Sequence, residues 1–233
     1  MLKRIFFFVS LTLISTMATG RTWYPTKLYL DSKPIQVYFN DGDTFHYLSN
    51  GARISARLTG YNTLESFGPI HQWGQWTPEE LFGIAKAATQ EARKGSWYCH
   101  SGSHSDTYGR QLVSCPDLAK HLIDRGLAHV MLINSTERSP LLSFQAQAIQ
   151  NQLGFWKKGV PAYVLSSVHS ADESHRRAYD RLVSTQTGRS FLIVHNRTYS
   201  PCQKVQHTLS ASEYSSSMVY LLSNQRYRAS NPC

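Results

Sequence analysis

One stretch of the sequence, residues 41–65, constrains the fold more than any other part of the chain. It reads DGDTFHYLSNGARISARLTGYNTLE. Asp41 and Asp43 lie in an acidic turn. Two short alternating segments then flank the dipeptide Asn50-Gly51, which supplies the positive φ of a tight hairpin. A hairpin at this place returns the end of its second strand to the acidic turn.

The expected hairpin brings several oxygen-bearing side chains to one edge of a sheet. Arg57 lies near the end of the second strand, and Asn62, Thr63 and Glu65 follow it. Carboxylate, amide and hydroxyl oxygens suit a hard divalent cation, and an arginine beside them suits a phosphate. The stretch therefore predicts a site for a metal ion and a phosphate. The alternative is a polar hairpin with a solvated loop, in which the acids only form local turns.

A second turn strengthens the functional interpretation. Residues 106–110 read DTYGR, lie between two strand-like segments and present another arginine. With this turn, the sequence resembles the staphylococcal nuclease (thermonuclease) family over roughly residues 35–158. The matching segments, in the family's order and near its spacing, are DGDT at 41–44, RLTGYNTLE at 57–65, DTYGR at 106–110, LIDRGLAHV at 122–130 and a predicted helix ending in GFW at 154–156.

The resemblance implies a metal-dependent nuclease that cleaves DNA or RNA into fragments ending in a 3′-phosphate. Calcium would be held by Asp43, the position of Asn62 and the backbone carbonyl of Thr63. Asp41 would be a further ligand or a neighbour of the ligands. Glu65 would position or deprotonate the attacking water.

The same resemblance assigns the substrate contacts. Arg57 and Arg110 would clamp the phosphate from two sides, as planar forks that an ammonium group cannot replace. Tyr108 would lie along the nucleotide and bond its phosphate, and Thr107 belongs to the same predicted substrate-binding turn.

The sequence departs from the family pattern within the predicted metal site. Asn62 stands where the family typically has a metal-binding aspartate, so the site carries one negative charge fewer. We therefore expect weaker calcium binding or the use of another divalent metal. Leu64 replaces the proline before the glutamate, which predicts looser positioning of Glu65. A nucleic-acid-binding module that keeps the barrel but has lost catalysis through Asn62 is the alternative function.

A third departure concerns base stacking. The tyrosines that stack on the base in the family align with Leu132 and Asn134, which removes this stacking surface. Residues 66–76 show no periodicity and are expected to form a mobile loop beside the site. Its aromatic side chains are candidates for a replacement stacking surface: Trp73, Trp76 and His71.

The N-terminus and the net charge suggest where the protein acts and what it binds. Residues 1–20 contain Lys3 and Arg4, an apolar run and small residues up to Gly20, which predicts a signal peptide and an exported protein, periplasmic or secreted, without a membrane span. The net charge is +9, and loss of the two basic leader residues leaves +7. This excess favours polyanions such as DNA and RNA. We expect a monomer.

The four cysteines favour disulfides, because their number is even and export exposes them to oxidation. Cys99 and Cys115 lie in the two strands that flank the second turn, so a bridge between them is the first choice. Cys202 with Cys233 then follows by elimination. A zinc site that includes Cys99, Cys115 and nearby histidines is the alternative.

The pattern of elements predicts an α+β fold. Several short strands with interleaved helices indicate a small barrel with about three packed helices, in agreement with the five-stranded OB-fold-like barrel that the resemblance implies. We assign this domain to residues 21–164. Residues 165–233 form a C-terminal extension of unknown role, with a possible helix at 172–184 and strands at 191–195 and 218–222.

Overall fold

The computed structural model describes residues 26–135, 137–173, 177–207, 209, 214–222, 225, 227 and 233. The predicted signal peptide, residues 1–20, lies outside this part of the chain. Within the described part, no helix is long and apolar enough to cross a membrane.

The described elements up to residue 156 are β1 (Thr26–Leu30), β2 (Lys33–Phe39), β3 (Thr44–Ser49), β4 (Ala52–Leu58), β5 (Gly60–Thr63), β6 (Ile70–Gln72), α1 (Pro78–Lys94), β7 (Ser96–Ser105), β8 (Gln111–Ser114), α2 (Pro116–Asp124), β9 (Ala128–Met131), α3 (Leu141–Gln150) and a 3₁₀ turn (Gly154–Trp156). The described elements after them are β10 (Tyr163–Ser167), β11 (Ala178–Ser184), β12 (Ser190–His195), β13 (Lys204–Gln206) and β14 (Ser217–Val219).

The described strands include a closed six-stranded barrel with the order β1-β2-β3-β4-β8-β7. β1 pairs in parallel with β7, and β4 pairs in parallel with β8; the other neighbours are antiparallel. The α+β class is confirmed. The pairing of β1 with β7 closes a barrel of six strands, where five were predicted. One cluster of buried side chains forms its core, including Leu28, Phe39, Phe45, Leu58 and Val113.

Helix α1 packs on the barrel through a face of small side chains. Its N-terminus is a capping box: the Glu80 amide donates to the Thr77 hydroxyl at 3.3 Å, and the Thr77 amide donates to the Glu80 carboxylate at 3.0 Å. The buried face consists of Leu81, Ala85, Ala88, Thr89 and Ala92. Alanines let the helix axis approach the barrel closely.

Helix α3 is shorter than predicted. It ends at Gln150, and the GFW segment forms the separate 3₁₀ turn. Gln152 and Gly154 both have φ of 51°, a left-handed conformation that an α-helix does not contain. Phe155 and Trp156 are nevertheless buried, as core residues.

Gly126, which follows α2, has no room for a side chain. Its φ is 62°, and a Cβ there would lie 2.2 Å from the carbonyl oxygen of Leu153. We expect Gly126→Ala to lower the free energy of unfolding by at least about 2 kcal/mol. Gly83→Ala, on the exposed side of α1 with nothing within 4 Å, is the control and is expected to stabilise by about 0.5–1 kcal/mol. Urea denaturation measures both, and equal effects would contradict the packing described here.

The C-terminal part of the chain contains sheet where a helix was predicted. β10, β11 and β12 form an antiparallel sheet, so the prediction of a helix at residues 172–184 is wrong. In β11, Ala178, Asp180 and Leu182 are buried while Tyr179 and Arg181 are half-buried, which is the two-residue period of a strand. The predicted strand at 191–195 is confirmed. β10 spans the predicted domain boundary between residues 164 and 165.

Residues 66–76 are not the predicted loop. They contain β6, which pairs with β14 in a second three-stranded sheet, with Met218 opposite His71. His71 and Trp73 are almost completely buried. Both are therefore excluded as a stacking surface. Trp76 is half-buried; its indole donates to the Phe155 carbonyl at 2.9 Å, and the Lys158 ammonium lies 4.6 Å from its ring centre.

Both predicted disulfides are confirmed. Cys99 is bonded to Cys115, which links β7 to the start of α2. Cys202 is bonded to Cys233. Because the cysteines of the alternative zinc site are paired with each other, that site is excluded.

Candidate active site

The predicted hairpin and β5 bring the first group of site residues together. β3 and β4 pair in the register that sets Thr44 opposite Arg57. The acidic turn before β3 therefore lies beside the end of β4. β5 follows at once, pairs with β9 and carries Asn62 and Thr63. Asp43 contacts Arg57 from one side and Thr63 from the other.

Asp43 lies at the centre of this group and uses both carboxylate oxygens. Its Oδ2 accepts the Thr63 amide at 2.7 Å and the Thr63 hydroxyl at 3.0 Å. Its Oδ1 accepts the Thr44 hydroxyl at 3.2 Å and one nitrogen of Arg57. Burial alone would raise the pKa of Asp43, but the Arg57 charge and the Thr63 hydrogen bonds outweigh it and hold the pKa below its ordinary value.

Arg57 connects Asp43 to Asn62. Its Nη1 donates to Asp43 Oδ1, and its Nη2 donates to Asn62 Oδ1. The Asn62 amide group donates in turn to the Thr63 carbonyl at 2.8 Å. The planar fork of arginine suits two acceptors at once, so the guanidinium is fixed in the site.

Glu65, just after β5, lies in the same electrostatic environment as the two arginines. Burial raises the pKa of Glu65 to about 8; the charges of Asp43 and Asp41 raise it too, while those of Arg57 and Arg110 lower it. The residues of the hairpin, of the segment after β5 and of the second turn are therefore close enough to influence one another's ionisation.

The pKa of Asp41 is raised as well. Its Oδ1 accepts the Asp43 amide at 3.1 Å. Burial and the neighbouring Asp43 carboxylate raise the pKa of Asp41 to about 7, against the opposing charge of Arg57. Three carboxyl groups thus lie near one buried guanidinium.

The donor set fits a hard divalent cation in its chemistry. Burial and the neighbouring carboxylates raise the pKa of Asp41 to about 7 and that of Glu65 to about 8, and a bound dication would favour the charged form of both groups. Asn62 Oδ1 and the Thr63 carbonyl both accept hydrogen bonds within the site. In the described part of the chain, no group of three His, Cys, Asp or Glu side chains could hold a metal ion alone. Water or phosphate oxygens would have to complete its coordination.

The second turn presents Arg110 on a rigid support. Asp106 accepts the backbone amides of Tyr108 and Arg110, each at 2.9 Å, and the Arg110 Nε at 2.7 Å. Tyr108 is 63% exposed, and the Arg110 guanidinium lies 5.4 Å from its ring centre. Thr107 is also exposed. These three predicted substrate residues therefore share one turn.

Two buried histidines lie near the site. His129 was not recognised from the sequence, and His71 was predicted only as a candidate for base stacking. His129 on β9 lies opposite Asn62 on β5, and its Nε2 has no hydrogen-bond partner among the described atoms. His71 is close enough to His129 for the charge of His129 to lower the pKa of His71. Neither ring nitrogen of His71 has a hydrogen-bond partner among the described atoms. Only the pairing of β5 with β9 and of β6 with β14 reveals this proximity, since no sequence spacing joins the two histidines.

Comparisons with protein-family models and with curated proteins find no match to this chain. A proposed function therefore rests on the chemistry of the site. Its distinguishing feature is that the charges of Arg57, at the end of β4, and of Arg110, in the second turn, both lower the pKa of Glu65.

Proposed function

We propose that the protein is a metal-dependent endonuclease that hydrolyses phosphodiester bonds of DNA, RNA or both. The observation that supports this proposal is that the charges of Arg57 and Arg110 both lower the pKa of Glu65, so both guanidinium groups lie within electrostatic range of this carboxyl group. Phosphodiester hydrolysis requires positive charge on the phosphate and a base for the attacking water. These three side chains provide both.

Glu65 is the proposed general base. Its pKa of about 8 is close to neutral pH, where a base can both hold and release a proton readily. The carboxylate accepts a proton from water as the water oxygen bonds to phosphorus. The bond from phosphorus to the leaving oxygen then breaks, and that oxygen keeps the electron pair and takes a proton from solvent.

The two arginines are the proposed phosphate clamp. Each can donate two parallel hydrogen bonds to the nonbridging oxygens, where negative charge increases in the transition state. Arg57 is fixed by Asp43 and Asn62, whereas Arg110 is held at Nε by Asp106. Tyr108 and Thr107 complete the proposed contacts with the nucleotide.

Calcium is the proposed cofactor, with another divalent metal as the alternative because Asn62 is uncharged. Asp43 and Asp41 would hold the ion, together with the oxygens of Asn62 and Thr63. A bound cation would neutralise negative charge on the phosphate.

Export and the nature of the substrate are parts of the same proposal. Two disulfides are typical of proteins that reside outside the reducing cytosol. The net charge of +9 favours a polyanionic substrate. We propose that the exported protein acts as a monomer on DNA or RNA.

One observation favours a second function, a nucleic-acid-binding module without catalysis. Both carboxylate oxygens of Asp43 and the side-chain oxygen of Asn62 already accept hydrogen bonds from the protein. A site that keeps these bonds would bind phosphate through its arginines without binding a metal ion.

A degradation assay separates the two functions. Purified protein is incubated with plasmid DNA and with RNA, in calcium and in EGTA. We expect calcium-dependent degradation, and we expect Glu65→Gln to lower its rate by about 10²–10⁴-fold, because the amide cannot accept the proton. Binding of the same nucleic acids, measured by fluorescence anisotropy, should persist in this variant.

The matched control is Glu137→Gln, which changes an exposed glutamate outside the site and should leave the rate unchanged. Degradation that continues in EGTA would contradict the metal requirement. Binding without degradation by the wild-type protein would support the binding module instead.

A further inference from the structure

The C-terminal sheet contacts the turn that carries Arg110. The hydroxyl groups of Tyr108 and of Tyr179 on β11 lie 3.3 Å apart. The ring of Tyr179 also lies against the ring of His169, with centres 4.7 Å apart and planes tilted by 53°. Tyr108, Tyr179 and His169 thus form a continuous aromatic strip, two of whose members come from outside the predicted nuclease domain.

Positive charge lies beside two members of the aromatic strip. The Arg110 guanidinium lies 5.4 Å from the Tyr108 ring centre, and the Arg181 guanidinium lies 5.7 Å from the Tyr179 ring centre. Aromatic faces beside guanidinium groups are the combination on which nucleic-acid bases stack while the backbone is neutralised.

The accessible face of the C-terminal sheet continues this surface. Tyr179 and Arg181 lie on the same face of β11, two residues apart. Their partners on β12 are Val194 and Leu192, which are 49% and 46% exposed. Ala178, Asp180 and Leu182 are buried on the opposite face of β11, and Val183, at the end of the accessible face, is buried as well.

A small cavity connects the aromatic strip with the proposed catalytic carboxyl. Its volume is about 170 Å³, and its lining includes Glu65, Phe67, His169, Glu173 and Met218. The cavity therefore has the proposed base on one side and a member of the aromatic strip on the other. With one nucleotide bound at Glu65, the adjacent nucleotide of the same strand would lie towards β11.

We propose that the aromatic strip is a binding subsite for unpaired nucleobases, so that the protein acts on single-stranded rather than on double-stranded segments. This inference rests on the proposed nuclease function and names its substrate class. The faces of a base in a duplex are covered by its neighbours, and only an unpaired base can stack on Tyr179 and His169.

A purely structural role for the contact between Tyr108 and Tyr179 makes a different prediction. In that role the hydroxyl groups hold the turn against the sheet, and loss of the Tyr179 hydroxyl is sufficient to disturb it. In a stacking role the ring is needed and the hydroxyl is not. Tyr179→Phe and Tyr179→Leu therefore distinguish the two roles.

The test is carried out in the Glu65→Gln protein, where hydrolysis does not interfere. Fluorescence anisotropy measures binding of a single-stranded eight-nucleotide DNA, an abasic strand of equal length and a duplex. We expect Tyr179→Leu to weaken binding of the single strand by about 5- to 100-fold. Tyr179→Phe should retain it, and binding of the abasic strand and duplex should change by less than about twofold. His169→Ala should weaken binding of the single strand in the same selective way.

Tyr98→Leu is the control, since this exposed tyrosine on β7 stacks on Tyr29 outside the aromatic strip. Unchanged binding in Tyr179→Leu, equal losses for the single and abasic strands, or equal losses in Tyr179→Phe and Tyr179→Leu would each overturn the inference while leaving the nuclease proposal intact. If the wild-type protein neither binds nor cleaves any of the three probes, both proposals fail.

Discussion

Replacing Arg57 with alanine is expected to lower the free energy of unfolding by about 3–5 kcal/mol and the rate of phosphodiester hydrolysis by about 10²–10³-fold. Arg57 is the counter-charge of Asp43, and their side chains are only 14% and 3% exposed. Its removal leaves a buried carboxylate without its cation and leaves Asn62 Oδ1 without the donor it has now. One substitution is thus expected to affect both stability and the proposed catalysis, because the same guanidinium stabilises Asp43 and is the proposed phosphate ligand.

The measurements are urea denaturation and the initial rate of DNA degradation in calcium. Arg110→Ala is the matched comparison, since Arg110 pairs with Asp106 in a more exposed turn, where the two side chains are 29% and 18% exposed. It should lose a similar factor in rate but about 1 kcal/mol or less in stability. Arg57→Lys keeps a charge but not the fork and should fall between wild type and alanine in stability. Equal denaturation midpoints for Arg57→Ala and wild type would contradict this role of Arg57.

Replacing His71 with leucine is expected to stabilise the protein by about 1–3 kcal/mol at pH 8. His71 is fully buried, and neither of its ring nitrogens has a hydrogen-bond partner in the part of the chain that the structure describes. Burial, with a smaller contribution from His129, lowers the pKa of His71 to about 3. The ring is therefore neutral and unsatisfied, and an apolar side chain of similar volume removes the desolvation cost of its nitrogens.

The gain is expected to increase as the pH falls. An unfolded histidine has a pKa of about 6.5, so below that pH the unfolded chain binds a proton that the folded chain does not. The stability associated with neutral His71 is thus present above about pH 6.5 and is lost as the pH falls towards about 3. At pH 4.5 the advantage of His71→Leu should exceed its value at pH 8 by roughly 3 kcal/mol.

Urea denaturation of wild type and His71→Leu between pH 8 and pH 4.5 measures this effect. The difference between the two proteins is needed, because the raised pKa values of Asp41 and Glu65 change the stability of both proteins in the opposite direction. His100→Leu, at an exposed position on β7, should change stability by less than about 0.5 kcal/mol at every pH. A difference between wild type and His71→Leu that does not vary with pH would contradict a buried neutral histidine.

The hairpin and the capped helix were predictable because their signals are local. Asn50-Gly51 determines the turn, and the register that follows from it sets Thr44 opposite Arg57. Thr77 and Glu80 lie three residues apart and satisfy each other's backbone groups. The grouping of Asp43, the end of β4 and β5 follows from these short distances along the chain.

The wrong predictions concern segments whose structure depends on pairing with strands far away in the sequence. Residues 66–76 read as an irregular loop because β6 has only three residues and is held by β14, far along the chain. The first residues of the predicted helix at 172–184 suggested no strand, but pairing with β10 and β12 makes 178–184 the central strand of a sheet. Tyr179 and His169 therefore could not be connected with the site before the sheet was known.

The pairing of β6 with β14 also ties the placement of the proposed base to the end of the chain. The Ser217 hydroxyl donates to the Gln72 carbonyl at 3.1 Å across 145 residues of sequence, and β6 begins only five residues after Glu65. A contact of such long range closes late, because its loop entropy must be overcome first. We therefore expect the barrel and Arg57 to assemble before the pairing of β14 with β6 fixes the segment that follows Glu65.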